Sequence, residues 1–193
     1  TKDVISSRDL KCGYEQYQKE MDKHRNDNHS HNGNASRANQ CLLVEVNLAA
    51  DYSMVQKYGS VSGAESHNLG VLNNVKTNYD DEFADELRFQ LNEQWISSCS
   101  TCDPWSSSTD PGVLLNSFTG WAPGGFSTSH DVASLWSNRD FNGSTVGLAW
   151  VGTVCTNYKY NVLQDFTSDG DLKRCMQAHE LGHNFNADHS SVG

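Results

Sequence analysis

One stretch constrains this chain more than any other: His179-Glu180-Leu181-Gly182-His183-Asn184-Phe185-Asn186-Ala187-Asp188-His189. Residues four apart share one face of a helix, so a helix here brings His179 and His183 to a single ion from consecutive turns. Glu180 projects about 100° round the same helix. That puts its carboxylate beside the ion rather than on it, where it can act as a base toward water. His189 reaches the ion only if the helix stops first. Asn186 is the expected stop, because Asn tolerates the left-handed conformation that ends helices and reverses the chain. Three imidazoles leave a fourth position open, the arrangement of a catalytic rather than a structural zinc. A helix with two exposed histidines is the competing reading, and the third histidine at the extended spacing weighs against it.

The 193 residues are enough for one domain with a substantial core. Only 36% are hydrophobic and the formal net charge is −10, so the surface is acidic and well solvated. Nucleic acid is disfavoured as a partner, because phosphate contacts require basic patches. No run of about 18 apolar residues occurs, so no membrane span is expected. With Thr1 in place of an initiator and no signal peptide visible, the sequence reads as a processed or excised piece. Cys12, Cys41, Cys99, Cys102, Cys155 and Cys175 accompany sequons at Asn28, Asn34 and Asn142. That combination favours an oxidising, secretory setting and a glycoprotein. Cys99 and Cys102 read as disulfide cysteines in a loop, since no second such pair completes a four-ligand metal site.

Residues 22–40 are almost wholly polar and predict a solvated linker, with the globular part beginning at Cys41. Alternation and apolar runs predict strands at 42–48, 87–96, 132–136, 145–151 and 161–166. Leu69, Leu72 and Val75 at helical spacing predict a helix over 64–79, and a short one is expected over 111–118. Ser168, with Asp171 three residues on, is the expected cap of the last helix. Ala178, Leu181 and Phe185 fall opposite the motif histidines and should pack under the sheet. His24, His29, His31, His67 and His130 read as surface residues. Periodicity alone gives no more than mixed α and β.

The extended histidine motif resembles the metzincin peptidases, and two further segments are similar to their adamalysin/ADAM (reprolysin) branch. Residues 137–155, containing Gly147-Leu148-Ala149-Trp150-Val151-Gly152, resemble that branch's substrate-binding edge strand, and Val162-Leu163-Gln164-Asp165 the strand before its active-site helix. With Cys41 to Val46 as a first strand, the similarity runs from about residue 41 to the end. It implies an α/β (α+β) upper subdomain: a twisted, mostly parallel five-stranded sheet with an antiparallel edge strand and the active-site helix beneath. It implies a zinc endopeptidase acting on extended protein or peptide segments. His179, His183 and His189 would hold Zn2+, Glu180 would be the base toward zinc-activated water, and Gly147, Leu148, Ala149 and Trp150 would bind substrate. Residues 1–40 would be the end of a proregion and 41–193 the catalytic domain, secreted or part of a larger membrane-anchored ectodomain.

Three features depart from the family pattern. Asn186 stands where Gly is usual, and Ser190 where the adamalysin branch has Asp. Met21, Met54 and Met176 all precede the site, so the family's methionine turn and lower subdomain are expected beyond Gly193, as are any further domains. The cysteine matching Cys155 commonly pairs beyond the active-site helix in the family, which leaves Cys155 with a different partner or none. At the other end, Leu10-Lys11-Cys12-Gly13-Tyr14 resembles the ADAM cysteine switch, in which a thiolate takes the fourth zinc position and keeps a zymogen latent. Cys12 as a disulfide partner is an equal alternative. Arg25 and Arg37 are single basic sites in the linker that follows. The competing function is a non-catalytic secreted adhesion or structural protein that retains a metzincin-like domain. An intact Glu180 argues against it, because a structural zinc needs no base.

Overall fold

Alternating apolar residues build the sheet around which everything else is arranged. In strand β2 (Leu42–Ala50), Val44, Val46 and Leu48 turn to one face while Ala49 turns to the other, and all four are buried. The structure, a computed structural model, describes residues 11–25, 42–83 and 86–189. Cys41, Asn28, Asn34, His29, His31, Arg37, Ser190 and Gly193 therefore lie outside the described residues.

In chain order, β1 (Lys11–Cys12), α1 (Tyr14–Met21) and a 3-10 turn (Asp22–His24) precede β2. Then come α2 (Tyr52–Tyr58), α3 (Val61–Glu82), β3 (Leu87–Ile96) and α4 (Pro111–Gly125). β4 (Val132–Ser137), β5 (Thr145–Ala149), β6 (Tyr160–Gln164) and α5 (Gly170–Asn184) complete the chain. The sheet order is β1-β5-β6-β4-β2-β3. Among the five longer strands all pairings are parallel except β5 with β6, so β5 is the expected antiparallel strand at one side. The two-residue β1 lies parallel along its outer edge, with Lys11 opposite Thr145 and Cys12 opposite Gly147.

One face of the sheet packs on α4 through Leu114, Leu115, Phe118, Ala133, Leu135, Tyr160 and Val162. The other face carries α3 and α5, where Val46, Leu48, Leu72, Val75, Phe89, Val132 and Leu181 form a second cluster with Ala178 and Phe185 against it. Of these three α5 residues only Leu181 is fully buried; the helix also buries Gln177, Glu180, His183 and Asn184, so its covered side centres on Glu180 and takes in His183. Leu181 is completely buried; Leu181→Ala is expected to cost about 2–5 kcal/mol, read as a lowered urea midpoint at unchanged slope.

Several boundaries differ from the sequence reading. Helix α5 is capped by Asp169, not Ser168: its carboxylate accepts from the amides of Asp171 and Leu172. Helix α4 continues to Gly125 although Pro123 lies inside it, because Phe118 and Ala122 are both fully buried on its inner face. Gly125 is required there, since a Cβ would fall 2.0 Å from Trp121 Cε2. Leu69 of α3 faces solvent, and Val71, Leu72 and Val75 carry the packing. His130 is buried and His67 is half-buried with its side chain only 7% exposed, so neither is a surface residue: His67 faces Asp165 and Tyr58, and His130 Nδ1 meets the Asn47 amide at 3.1 Å. Residues 22–25 are ordered against the domain rather than linker, with His24 stacked on Tyr158 at 3.4 Å between ring centres.

The start of α5 is fixed by a buried charge cluster. Asp165, just after β6, receives Lys173 Nζ at 2.7 Å, Lys57 Nζ at 2.9 Å and Tyr58 OH at 2.7 Å. Burial pushes the Asp165 carboxyl up, but bonds from Lys173, Lys57 and Tyr58 outweigh it and hold it below the usual carboxylate value. A carboxyl depressed on folding contributes stability above its unfolded pKa of about 3.9, and that contribution is lost as pH falls through the folded value. Asp165→Asn is expected to cost about 3–5 kcal/mol at neutral pH, because buried Lys173 loses its counter-charge. Urea denaturation at pH 7 and again well below pH 4 should show the difference between the two proteins shrinking with acid.

Candidate metal centre

Helix α5 brings His179 and His183 onto one face, and the chain then reverses at Asn186, which has φ +75° as expected. The reversal is held by amides of Asn186 and Ala187 bonding to the carbonyls of His183 and Gly182, both at 2.9 Å. His189 returns to the other two histidines. The three Nε2 atoms lie 3.0, 3.0 and 3.2 Å from one another. Nitrogens bound to one tetrahedral ion at about 2.0–2.1 Å sit about 3.3 Å apart, so this triangle fits a zinc-sized ion with little movement.

Protonation state favours the same use. Burial, then the neighbouring His183 and His189, push His179 down to about 4. His183 is likewise lowered, chiefly by burial. Both imidazoles are neutral at physiological pH and keep a lone pair to donate. The His183 Nδ1 proton is given to the Ala187 carbonyl at 2.7 Å, which directs Nε2 to the centre.

Glu180 is completely buried beside this triangle but is not one of the converging donors. Burial pushes its carboxyl up to about 8, and a hydrogen bond from Cys12 opposes the shift. A cation at the histidines would favour its charged form.

The fourth converging donor is Cys12. Its Sγ lies 3.3 Å from His183 Nε2, and the Cys12, His179, His183 and His189 donor atoms all fall within 4.8 Å of one another. Among the described residues Cys99–Cys102 is the disulfide, and Cys12, Cys155 and Cys175 are outside any. The edge strand is also where the N-terminal arm sits: the Gly13 amide donates to the Gly147 carbonyl at 2.8 Å. Beyond it, Met21 is fully buried in the α4-side core, and the Val151 amide reaches the Met21 carbonyl at 3.5 Å. Leu148, Ala149 and Trp150 are buried, with Trp150 Nε1 bonded to Thr119 Oγ1 at 2.9 Å.

Sequence reasoning missed three contributors. Asn184 ties the end of α5 to the sheet, donating to the Trp150 and Tyr160 carbonyls and accepting from Asn161. Arg25 holds the turn before His189, giving Nε to Asn186 Oδ1 at 2.7 Å and pairing with Asp188. Met21 anchors the arm. A buried-facing Asn in the last helical turn is a weak signal for the first; nothing local marks the other two.

Comparison with known proteins adds the following. Residues 38–191 match the reprolysin profile of metallo-peptidase family M12. Snake venom metalloproteinase Ac1 of Deinagkistrodon acutus is 31% identical over 76% of this chain and 72% of its own length. The zinc metalloproteinase-disintegrin-like protein atrase-A of Naja atra is 31% identical over 77% of the chain, and mouse disintegrin and metalloproteinase domain-containing protein 19 is 31% identical over 77%. The chain spans 24% and 16% of those two longer proteins. A chain from a solved chaperone–substrate complex shares the fold, with TM-score 0.60 at 14% identity over 79% of this chain and 25% of that one.

Proposed function

The chain belongs to the reprolysin group of metallo-peptidase family M12, and from that premise we propose that it is a zinc-dependent endopeptidase held latent by its own N-terminal arm. What supports this most is the convergence of three imidazole nitrogens beside a buried carboxylate, under the strand that an extended peptide would join. His179, His183 and His189 would hold the metal. Zinc, when bound there, supplies Lewis acidity toward water and toward the scissile carbonyl. Glu180 takes a proton from the attacking water and gives it to the leaving amine. The main chain of β5 at Gly147, Leu148 and Ala149, with Trp150 just after it, aligns the substrate segment by strand addition, which suits unfolded or extended protein segments.

Cys12 occupies the fourth donor position in the latent chain, and β1 fills the strand-addition edge. A thiolate there excludes the catalytic water. Residues 41–193 then form the catalytic domain, with residues 1–40 as the end of a proregion. The Cys99–Cys102 disulfide and the exposed Asn142 sequon suit an extracellular glycoprotein. No helix among the described residues is long and apolar enough to cross a membrane.

The test is hydrolysis of an unfolded protein substrate by the full chain before and after Cys12 is blocked with a thiol reagent, each with and without a chelator. Cleavage that appears on blocking, disappears with chelator and returns with zinc supports the reading. A chain that never cleaves, with zinc present and Cys12 blocked, overturns it in favour of a non-catalytic module.

A further inference from the structure

We infer that Gly147 is a positioning residue for Glu180: its missing side chain is the space into which the carboxylate is seated. Strand β5 passes directly over α5 at this point. A Cβ on Gly147 would fall 2.5 Å from Glu180 Oε1, 2.9 Å from Glu180 Cδ and 2.7 Å from Met176 Sδ. Non-bonded heavy atoms rest at about 3.5–4.0 Å, so the carboxylate would be driven off its seat by roughly 1 Å. Met176 lies one turn before Glu180 and can swing its flexible thioether aside. Glu180 has less freedom, because it is completely buried between β5, its own helix and Cys12.

The backbone conformation of Gly147 is not what demands glycine, since it is absent from the positive-φ residues. The demand is steric. Gly147 also works from its other side, where its carbonyl takes the Gly13 amide and its register partner is Cys12. One residue therefore shares its two sides between the strand-addition edge and the proton carrier, with no side chain on either.

This inference rests on Glu180 as the proton carrier, and a misplacement of about 1 Å at such a group costs about 10²-fold in rate. With Cys12 blocked in both proteins, Gly147→Ala is expected to lower kcat by about 10²-fold, with KM and zinc content little changed. A residue serving only the strand-addition edge would move KM instead. The second readout needs neither metal nor activity: the urea midpoint of the metal-free full chain. Gly147→Ala should lower it clearly in the wild-type background and much less in a Glu180→Ala background, where the obstructing carboxylate is gone.

Equal midpoint losses in both backgrounds, or an unchanged kcat, overturn the inference. If Gly147→Ala alone does not fold, recovery of folding by adding Glu180→Ala supports it and failure of that double variant overturns it. Absence of cleavage by the wild-type chain with zinc present and Cys12 blocked would sink the peptidase reading, while the midpoint comparison would still decide whether Gly147 seats Glu180.

Discussion

Glu180→Gln is expected to lower peptide cleavage by about 10²–10⁴-fold while zinc content stays the same. Gln keeps the length and shape of a side chain that is completely buried, so β5 and α5 should stay where they are. Its amide cannot take up the water's proton. Metal should remain because the converging donors are His179, His183, His189 and Cys12, with Glu180 not among them. A further consequence separates electrostatics from catalysis. Burial raises the Glu180 carboxyl to about 8 in the metal-free chain. A carboxyl raised on folding costs stability as pH rises from its unfolded value of about 4.3 toward the folded one, and costs nothing well below both. Metal-free Glu180→Gln should therefore be more stable than the native chain at neutral pH, with the gain fading in acid. Loss of zinc on this substitution, or cleavage at the native rate, would remove Glu180 from its assigned role.

Met21→Ala is expected to release the arm. Cys12 supplies one ligand contact, but the arm has other holds: Tyr17 OH on Asp110 at 3.1 Å, Asn116 on Glu20 at 3.0 Å, and Arg25 on Asn186 and Asp188. These are partly or largely exposed and individually modest. Met21 is completely buried among core residues and is the largest single anchor. Truncating a buried Met costs about 2–5 kcal/mol, which shifts the docked-to-released equilibrium roughly 30- to 4,000-fold. The rate at which a thiol reagent labels Cys12 should rise accordingly, and cleavage should appear without chemical activation. An unchanged labelling rate would mean that the arm is held by the thiol alone.

These two residues also mark how far the sequence could be read. Glu180 and the three histidines were legible because their spacing is local: a helical repeat of four and a left-handed Asn186 set their approach, which Arg25 and Asn184 then hold. Strand β3 was legible from alternation, whereas β4, β5 and β6 are buried throughout and were legible as short apolar runs. Met21 was not, because a single apolar residue within a polar stretch carries no periodicity, and its partners lie in α4 and β5. Arg25 was hidden for the same reason, since its contacts with the turn before His189 are 161 and 163 residues away. His67 and His130 read as solvated from composition, yet long-range partners bury both. The cap of α5 moved from Ser168 to Asp169 because either residue type can accept the first amides, and only the approach of the chain decides between them.

The most direct measurement is elemental analysis of the purified full chain combined with zinc-edge X-ray absorption of the bound metal. The account predicts one zinc per chain, with three nitrogen neighbours at about 2.0–2.1 Å and one sulfur at about 2.3 Å, the sulfur replaced by a light atom once Cys12 is blocked. A chain with no zinc, or a zinc whose neighbours include no imidazole set, would contradict it.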